Sequence, residues 1–219
     1  MLNLVVNILL PSIILTKFSS AAYLGPVYGL LLALSLPLGY GLYDLVKTKR
    51  YNFVSILGII SIVLTGGIGL LALPLELIAI KEAAVPLLIG IGVLITARTK
   101  FPLVKKLLFQ IANEALIMSK LTTSAAQQTF ERKTLRATYL VALSFLVSAT
   151  LNYVLAKIIV TSPPGTAEFT AELGRLTAYS YPVIALPSTA ILVAAVFLLL
   201  RDIKTLTGLE LETVLKTSK

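Results

Sequence analysis

Hydrophobic residues are gathered into long runs along the chain, and the polar residues lie mainly between those runs. Each run approaches the roughly 20 residues with which an α-helix crosses about 30 Å of hydrocarbon. The pattern predicts six transmembrane helices, at residues 2–18, 24–46, 53–73, 77–97, 138–160 and 181–200. Residues 98–137 and 161–180 are the two stretches that lie outside the hydrocarbon. We therefore expect an all-α integral membrane protein with a single transmembrane domain over residues 1–219.

The positions of lysine and arginine orient these helices. If the N-terminus is cytoplasmic, only Lys17, Lys157 and Arg175 lie in outer loops, and Lys81 lies within a span. All the other basic residues then lie on the inner side, which is the side that short basic loops prefer. The positive-inside rule thus predicts that both termini are cytoplasmic.

The polar stretch after the fourth span has a helical pattern of its own. Pro102 suits the first turn of a helix. Apolar residues follow it at helical spacing, at Leu103, Val104, Leu107, Leu108, Ile111, Ala115 and Met118. Polar residues occupy the other face, at Lys105, Lys106, Asn113 and Lys120. We expect a cytoplasmic amphipathic helix between transmembrane helices 4 and 5, which either lies against anionic lipid headgroups or packs on the bundle as a connector.

Two stretches predict connections rather than helices. The polar run Thr122–Gln128 predicts a loop before the fifth span. The outer stretch 161–180 contains Ser162, Pro163, Pro164 and Gly165, which predict a turn or a short lid.

Composition narrows the chemistry. The chain is 57% hydrophobic and 13% charged, with a mean hydropathy of +0.94 and no Cys or His. Disulfides, thiolate chemistry and imidazole catalysis are therefore excluded, and so are the usual zinc and haem ligands. Phosphate-binding, dinucleotide-binding and nucleophile-elbow motifs are absent from the sequence. We expect a non-enzymatic protein without a metal or cofactor, and the dispersed basic residues disfavour nucleic acid.

The main candidate site is the adjacent pair Lys81 and Glu82 in the fourth span. Ionisable groups inside a span are costly and usually functional. Adjacent helical residues point about 100° apart, so the two cannot face one neighbour in the same way. We expect one of them to pair with Glu76 or with a polar group on another helix, and the other to face a cavity.

Small residues and a proline accompany this pair. Gly66, Gly67 and Gly69 close the third span, and Pro86 follows the pair in the fourth. Glycines let helices approach closely, so we expect these two helices to pack on each other there. Two interpretations stay open: the charges line a polar pocket or solute path, or Lys81 simply reaches the outer headgroups.

A secondary candidate site lies near the inner end of the second span, at Tyr40, Tyr43 and Asp44. Pro37 in the same span makes a kink plausible, and freed carbonyls then need partners. Asp44 either pairs with neighbouring lysines at the surface or forms a proton or cation site.

The run Leu24–Pro26, the run Pro37–Asp44 and the segment Ala79–Pro86 resemble a family of uncharacterised bacterial polytopic membrane proteins. That family is in turn distantly similar to the intracellular septation protein A family. A Gly-Gly pair closing one span and a lysine with a proline in the next are shared features. The resemblance covers roughly residues 1–109. It implies a bacterial inner-membrane protein linked with envelope maintenance and division through protein partners.

Three function classes follow. The first is a scaffold or partner protein in envelope maintenance, which binds other envelope proteins or a second copy of itself in the lipid bilayer. The alternative is a small-solute or ion transporter or channel that uses Lys81 and Glu82. An intramembrane lipid enzyme is the third, and it requires Asp44 or Glu82 to converge with further carboxylates.

Overall fold

The computed structural model describes residues 5–48, 53–99 and 102–214, apart from the side chains at 44–45, 48, 53–59, 62 and 211. The regular elements of this described part are helices. They are α1 (Val5–Phe18), α2 (Gly25–Thr48), α3 (Phe53–Leu70), α4 (Glu76–Ala97), α5 (Leu103–Ile111), α6 (Glu114–Lys120), α7 (Ser124–Ile159), α8 (Ala167–Ser180), α9 (Leu186–Thr207) and α10 (Leu211–Val214). A π-helical turn, Tyr181–Ala185, joins α8 to α9.

Four helical stretches in the described residues are long and apolar enough to cross a membrane. They are Gly25–Tyr43, Glu76–Ala97, Ser124–Ile159 and Ala167–Thr207. The all-α class and the presence of several candidate membrane helices are therefore confirmed. The count of six spans and the orientation stay predictions. The described part of the first span, α1, is a shorter apolar helix that contains two π-helical turns.

The loop predicted at Thr122–Gln128 is wrong, because α7 begins at Ser124. The Thr123 hydroxyl accepts a hydrogen bond from the backbone N–H of Ala126 at 3.2 Å, as at a helix N-terminus. Gln127 donates its side-chain amide to the Leu121 carbonyl at 2.9 Å. The 36 residues of α7 extend about 54 Å, well beyond the hydrocarbon thickness, so its polar first turns need side-chain partners rather than apolar surroundings.

The predicted turn on the outer side is correct only for its first residues. A connection runs from Val160 to Thr166, and residues 167–180 form α8. The Thr166 hydroxyl accepts from the Phe169 N–H at 3.1 Å and so caps the helix. Phe169, Leu173 and Leu176 recur at helical spacing and are buried, which supplies the packing that holds α8 in place.

The predicted amphipathic helix is present as two shorter helices. Ala112 is extended between α5 and α6, and the Asn113 side chain accepts from the Leu116 N–H at 3.1 Å to cap α6. Part of the apolar face, including Val104 and Leu108, is buried in the protein. Leu107 and its neighbours on α5 are exposed. The helix therefore packs as a connector on one side and leaves an apolar stripe open on another.

The helices form two compact units, each with its own core. Unit 1 comprises residues 1–85 and 149–185, and unit 2 comprises residues 86–148 and 186–219. In unit 1, buried residues of α1 to α4 and of the end of α7 pack with α8. Gly69 is a close-contact point there, because an added Cβ would lie 2.7 Å from Leu30 Cδ2 and 3.1 Å from Phe169 Cε1.

The core of unit 2 is built around the long polar start of α7. Phe130 is 1% exposed and stacks on Phe109 at 6.3 Å between ring centroids. The Asn113 N–H donates to the Val214 carbonyl at 2.8 Å, which attaches α10 to the connector. Lys133 and Asp202 form an ion pair at 2.9 Å between α7 and α9.

We expect Phe130→Ala to cost about 3–5 kcal/mol of the free energy of unfolding, because it opens a cavity in the core of unit 2. Phe197→Ala is the matched control, since Phe197 is 60% exposed and its truncation should change stability by only about 0.5 kcal/mol. Denaturant unfolding of the detergent-solubilised protein, followed by circular dichroism, measures both. Equal losses for the two variants would contradict this core assignment.

Candidate functional site

Lys81 and Glu82 lie within about the first two turns of α4. Their side chains differ in environment: that of Lys81 is 7% exposed and that of Glu82 is 28% exposed. The lysine is thus inside unit 1, whereas one part of the carboxylate reaches the surface.

The ammonium group of Lys81 is fully hydrogen-bonded. Its Nζ lies 2.6 Å from Glu82 Oε1, 2.7 Å from Thr65 Oγ1 and 3.3 Å from Ser61 Oγ. An ammonium has three donors, so these three acceptors use them all. The Thr65 hydroxyl in turn donates to the Ser61 carbonyl at 2.9 Å. The four side chains form one polar cluster, which we call the Lys81 cluster.

Two elements build the Lys81 cluster. Ser61 and Thr65 are four residues apart on α3, so their hydroxyls lie on one face of that helix. Lys81 and Glu82 come from α4. Lys81 thus pairs with polar groups on another helix, as expected for one member of the pair. Its ion pair with the adjacent Glu82 was not predicted, and it forms because the flexible lysine side chain reaches its neighbour.

The glycines of the third span have other neighbours than predicted. An added Cβ at Gly66 would lie 3.1 Å from Leu34, and one at Gly69 would meet Leu30 and Phe169. These contacts are with α2 and α8, so the close packing predicted against α4 is wrong for both glycines. Nothing lies within 4 Å of a Cβ added at Gly67.

Pro86 lies about one turn beyond Glu82 in α4 and is half-buried. It belongs to unit 2, whereas the Lys81 cluster belongs to unit 1. Its assignment to a common site with Lys81 and Glu82 stays a prediction.

The secondary candidate residues lie in the last turns of α2. Tyr43 is exposed, and Lys47 Nζ lies 5.3 Å from the centroid of its ring, a cation–π distance. Tyr40 is half-buried. The side chain of Asp44 lies outside the described residues, so a proton or cation site there stays a prediction.

Two groups of polar residues were not predicted from the sequence. Ser61 and Thr65 could have been found as a pair of hydroxyls four residues apart in an apolar span. Glu172 is buried in α8. It was not predicted because it lies in a stretch for which the sequence predicts a turn. Its carboxylate accepts from the N–H of Thr161 and Ser162, both at 2.9 Å, and from their hydroxyls at 3.2 and 2.8 Å. This carboxylate holds the connection between α7 and α8 onto α8.

Comparison with protein-family models, with curated proteins and with solved structures found no significant match.

We expect Lys81→Met to lower the free energy of unfolding by about 1.5–3 kcal/mol, because it removes charge-assisted hydrogen bonds and leaves the Glu82 carboxylate unpaired. The double variant Lys81→Met with Glu82→Gln should regain part of this loss, since no unpaired charge remains. Lys157→Met is the control at an exposed lysine. Denaturant unfolding in detergent compares the four proteins, and an equal loss in the single and double variants would argue against a coupled pair.

Proposed function

We propose that this chain is a non-enzymatic scaffold or partner protein of the bacterial cytoplasmic membrane that acts in cell-envelope maintenance or division. The observation that carries the proposal is the closed hydrogen bonding of the Lys81 cluster: the buried ammonium has its three partners inside the protein. The resemblance of residues 1–109 to septation-type membrane proteins supplies the cellular context. Its partners are other envelope proteins or a second copy of the chain.

A scaffold and a transporter place different demands on a buried cation. A transporter must expose the buried ammonium to its solute. Each time the solute binds, the hydrogen bonds of the ammonium inside the protein are broken, and such bonds are costly to leave unmade. A scaffold needs only a group that fixes one helix against the next. Lys81, bonded to Ser61 and Thr65 across two helices, matches the second demand.

The transporter or channel is the second candidate, and one observation favours it. The Glu82 side chain is 28% exposed, so part of a carboxylate remains accessible beside the buried ammonium. In this alternative, Glu82 receives a proton or cation and Lys81 is its counter-charge.

The cytoplasmic surface supports attachment to the inner leaflet. On α5 the exposed apolar side chains are Leu103, Leu107 and Ile111, four residues apart and therefore on one stripe. Lys106 is exposed beside this stripe, whereas Lys105 pairs with Glu131. An apolar stripe next to a free lysine matches an interface with anionic lipid headgroups.

The scaffold proposal is tested first by a flux measurement. The purified protein is placed in liposomes with pH- and potential-sensitive dyes, and we expect ion flux equal to that of protein-free liposomes. The variant Lys81→Met with Glu82→Gln should give the same result. Flux in the wild type that is lost in this double variant would overturn the scaffold in favour of the transporter.

The same proposal predicts protein partners. Cross-linking in intact cells before solubilisation should recover the protein with division or envelope proteins, or with a second copy of itself. Repeated recovery of the uncross-linked chain alone would contradict it.

The position of α5 is tested with single cysteines, because the chain has none of its own. We expect an environment-sensitive dye on Leu107→Cys to enter an apolar environment in vesicles that contain phosphatidylglycerol. The same dye on Ser119→Cys is the control, since Ser119 is exposed on α6 and is not part of the stripe. Equal exposure of both dyes to water would show that the stripe does not contact lipid.

A further inference from the structure

An open groove lies in unit 1 between one face of α1 and the end of α8. Its volume is about 510 Å³, within the range of small-molecule sites. Ile8, Leu9 and Ile13 supply an apolar wall from α1. Arg175 and Tyr179 line the same groove from α8. It does not include any residue of the Lys81 cluster, so it is independent of the proposed function.

The charge in this groove is uncompensated. Among the residues that the structure describes, Arg175 has neither an ion pair nor a hydrogen bond, and its side chain is exposed. The described part of the chain also offers no hydrogen-bond partner to the hydroxyls of Tyr179 and Tyr181, which are half exposed. The groove therefore presents the hydrogen-bond donors of Arg175 and Tyr179 beside an apolar wall, and the described residues supply no acceptor for them.

The helices meet closely beside this groove. An added Cβ at Gly174 would lie 2.8 Å from Leu15 Cβ and 3.0 Å from the Ser12 carbonyl oxygen, so α1 and α8 are in contact there. Arg175 follows Gly174 directly and is therefore held at the edge of this contact. The buried Ser12 hydroxyl, on a residue that also lines the groove, has no hydrogen-bond partner within the described residues.

We propose that this groove binds one molecule of an anionic, phosphate-bearing membrane lipid. One of its acyl chains lies along Ile8, Leu9 and Ile13, and its phosphate accepts hydrogen bonds from Arg175 and Tyr179. The planar guanidinium fork matches phosphate oxygens, and a tyrosine with an apolar ring and a wet hydroxyl suits the level of the headgroups. One free cation beside an apolar wall complements an amphiphile with one negative charge.

The test uses native mass spectrometry of the full chain in non-ionic detergent, with phosphatidylglycerol and phosphatidylcholine added in equal amounts. We expect one phosphatidylglycerol to be retained in preference to phosphatidylcholine. Arg175→Gln should reduce that retention about tenfold, which corresponds to the loss of one charge-assisted contact. Lys157→Gln, at an exposed lysine of the same unit, should bind lipid like the wild type.

Two further arms identify the bound group. Phosphatidic acid should bind as phosphatidylglycerol does, because both carry a phosphate whose negative charge is not offset by a cationic headgroup as it is in phosphatidylcholine. Millimolar inorganic phosphate should not displace either lipid. Ala178→Trp places a large ring in the groove and should exclude lipid even where Arg175 is intact. Displacement by inorganic phosphate alone, equal retention by the wild type and Arg175→Gln, or a dimer that Ala178→Trp dissociates without any bound lipid would each overturn the proposal.

Discussion

A buried ammonium must keep its hydrogen bonds, and this requirement fixes how α3 lies against α4. Lys81 is buried, so its charge is tolerable only while Ser61, Thr65 and Glu82 remain within reach. The two hydroxyls therefore have to face α4. At about 100° per residue, Gly66 points roughly a quarter turn away from Thr65, which agrees with its contact with α2. Gly69 is offset from Thr65 by only about 40°, so its contacts with Leu30 and Phe169 come from the packing of α2 and α8 on the last turn of α3.

Polar contacts of the same kind organise the ends of the long helices. The buried carboxylate of Glu172 gathers four donors from Thr161 and Ser162, and so closes the connection between α7 and α8. At the other end of α7, Lys133 pairs with Asp202 of α9. The two contacts fix polar parts of α7 and α8 to other elements of the protein.

The polar groups of the chain therefore divide by role. The ammonium of Lys81 makes all its hydrogen bonds inside unit 1, which agrees with a structural role for this residue. Arg175, by contrast, has no partner in the described residues and lies beside an apolar wall. Leu107 and its neighbours on α5 are likewise open to a partner. The scaffold proposal and the lipid-groove proposal both depend on contacts that the surface of the protein makes with lipid or with other proteins.

Hydrophobic pattern alone determined the all-α class and the presence of several membrane-length helices, because a backbone in lipid has to satisfy its hydrogen bonds within each helix. It also located Lys81 and Glu82, since charges stand out in an apolar run. The pattern failed at two helical segments, Ser124–Gln128 and Ala167–Ser180. Both are polar, so they lack the long apolar run from which a helix is predicted.

Only the tertiary structure shows that those segments are helical. Phe130 and Phe169 are buried against neighbouring helices, and this packing stabilises the helices that contain them. The partners of Lys81 and of the glycines are likewise determined by the tertiary structure alone. Side-chain partners on other helices depend on how each helix is rotated about its axis, and α3 and α4 are apolar nearly all round. The sequence of such a helix has no apolar stripe that predicts which face contacts which neighbour. The rotation of the helix about its axis is therefore set by packing.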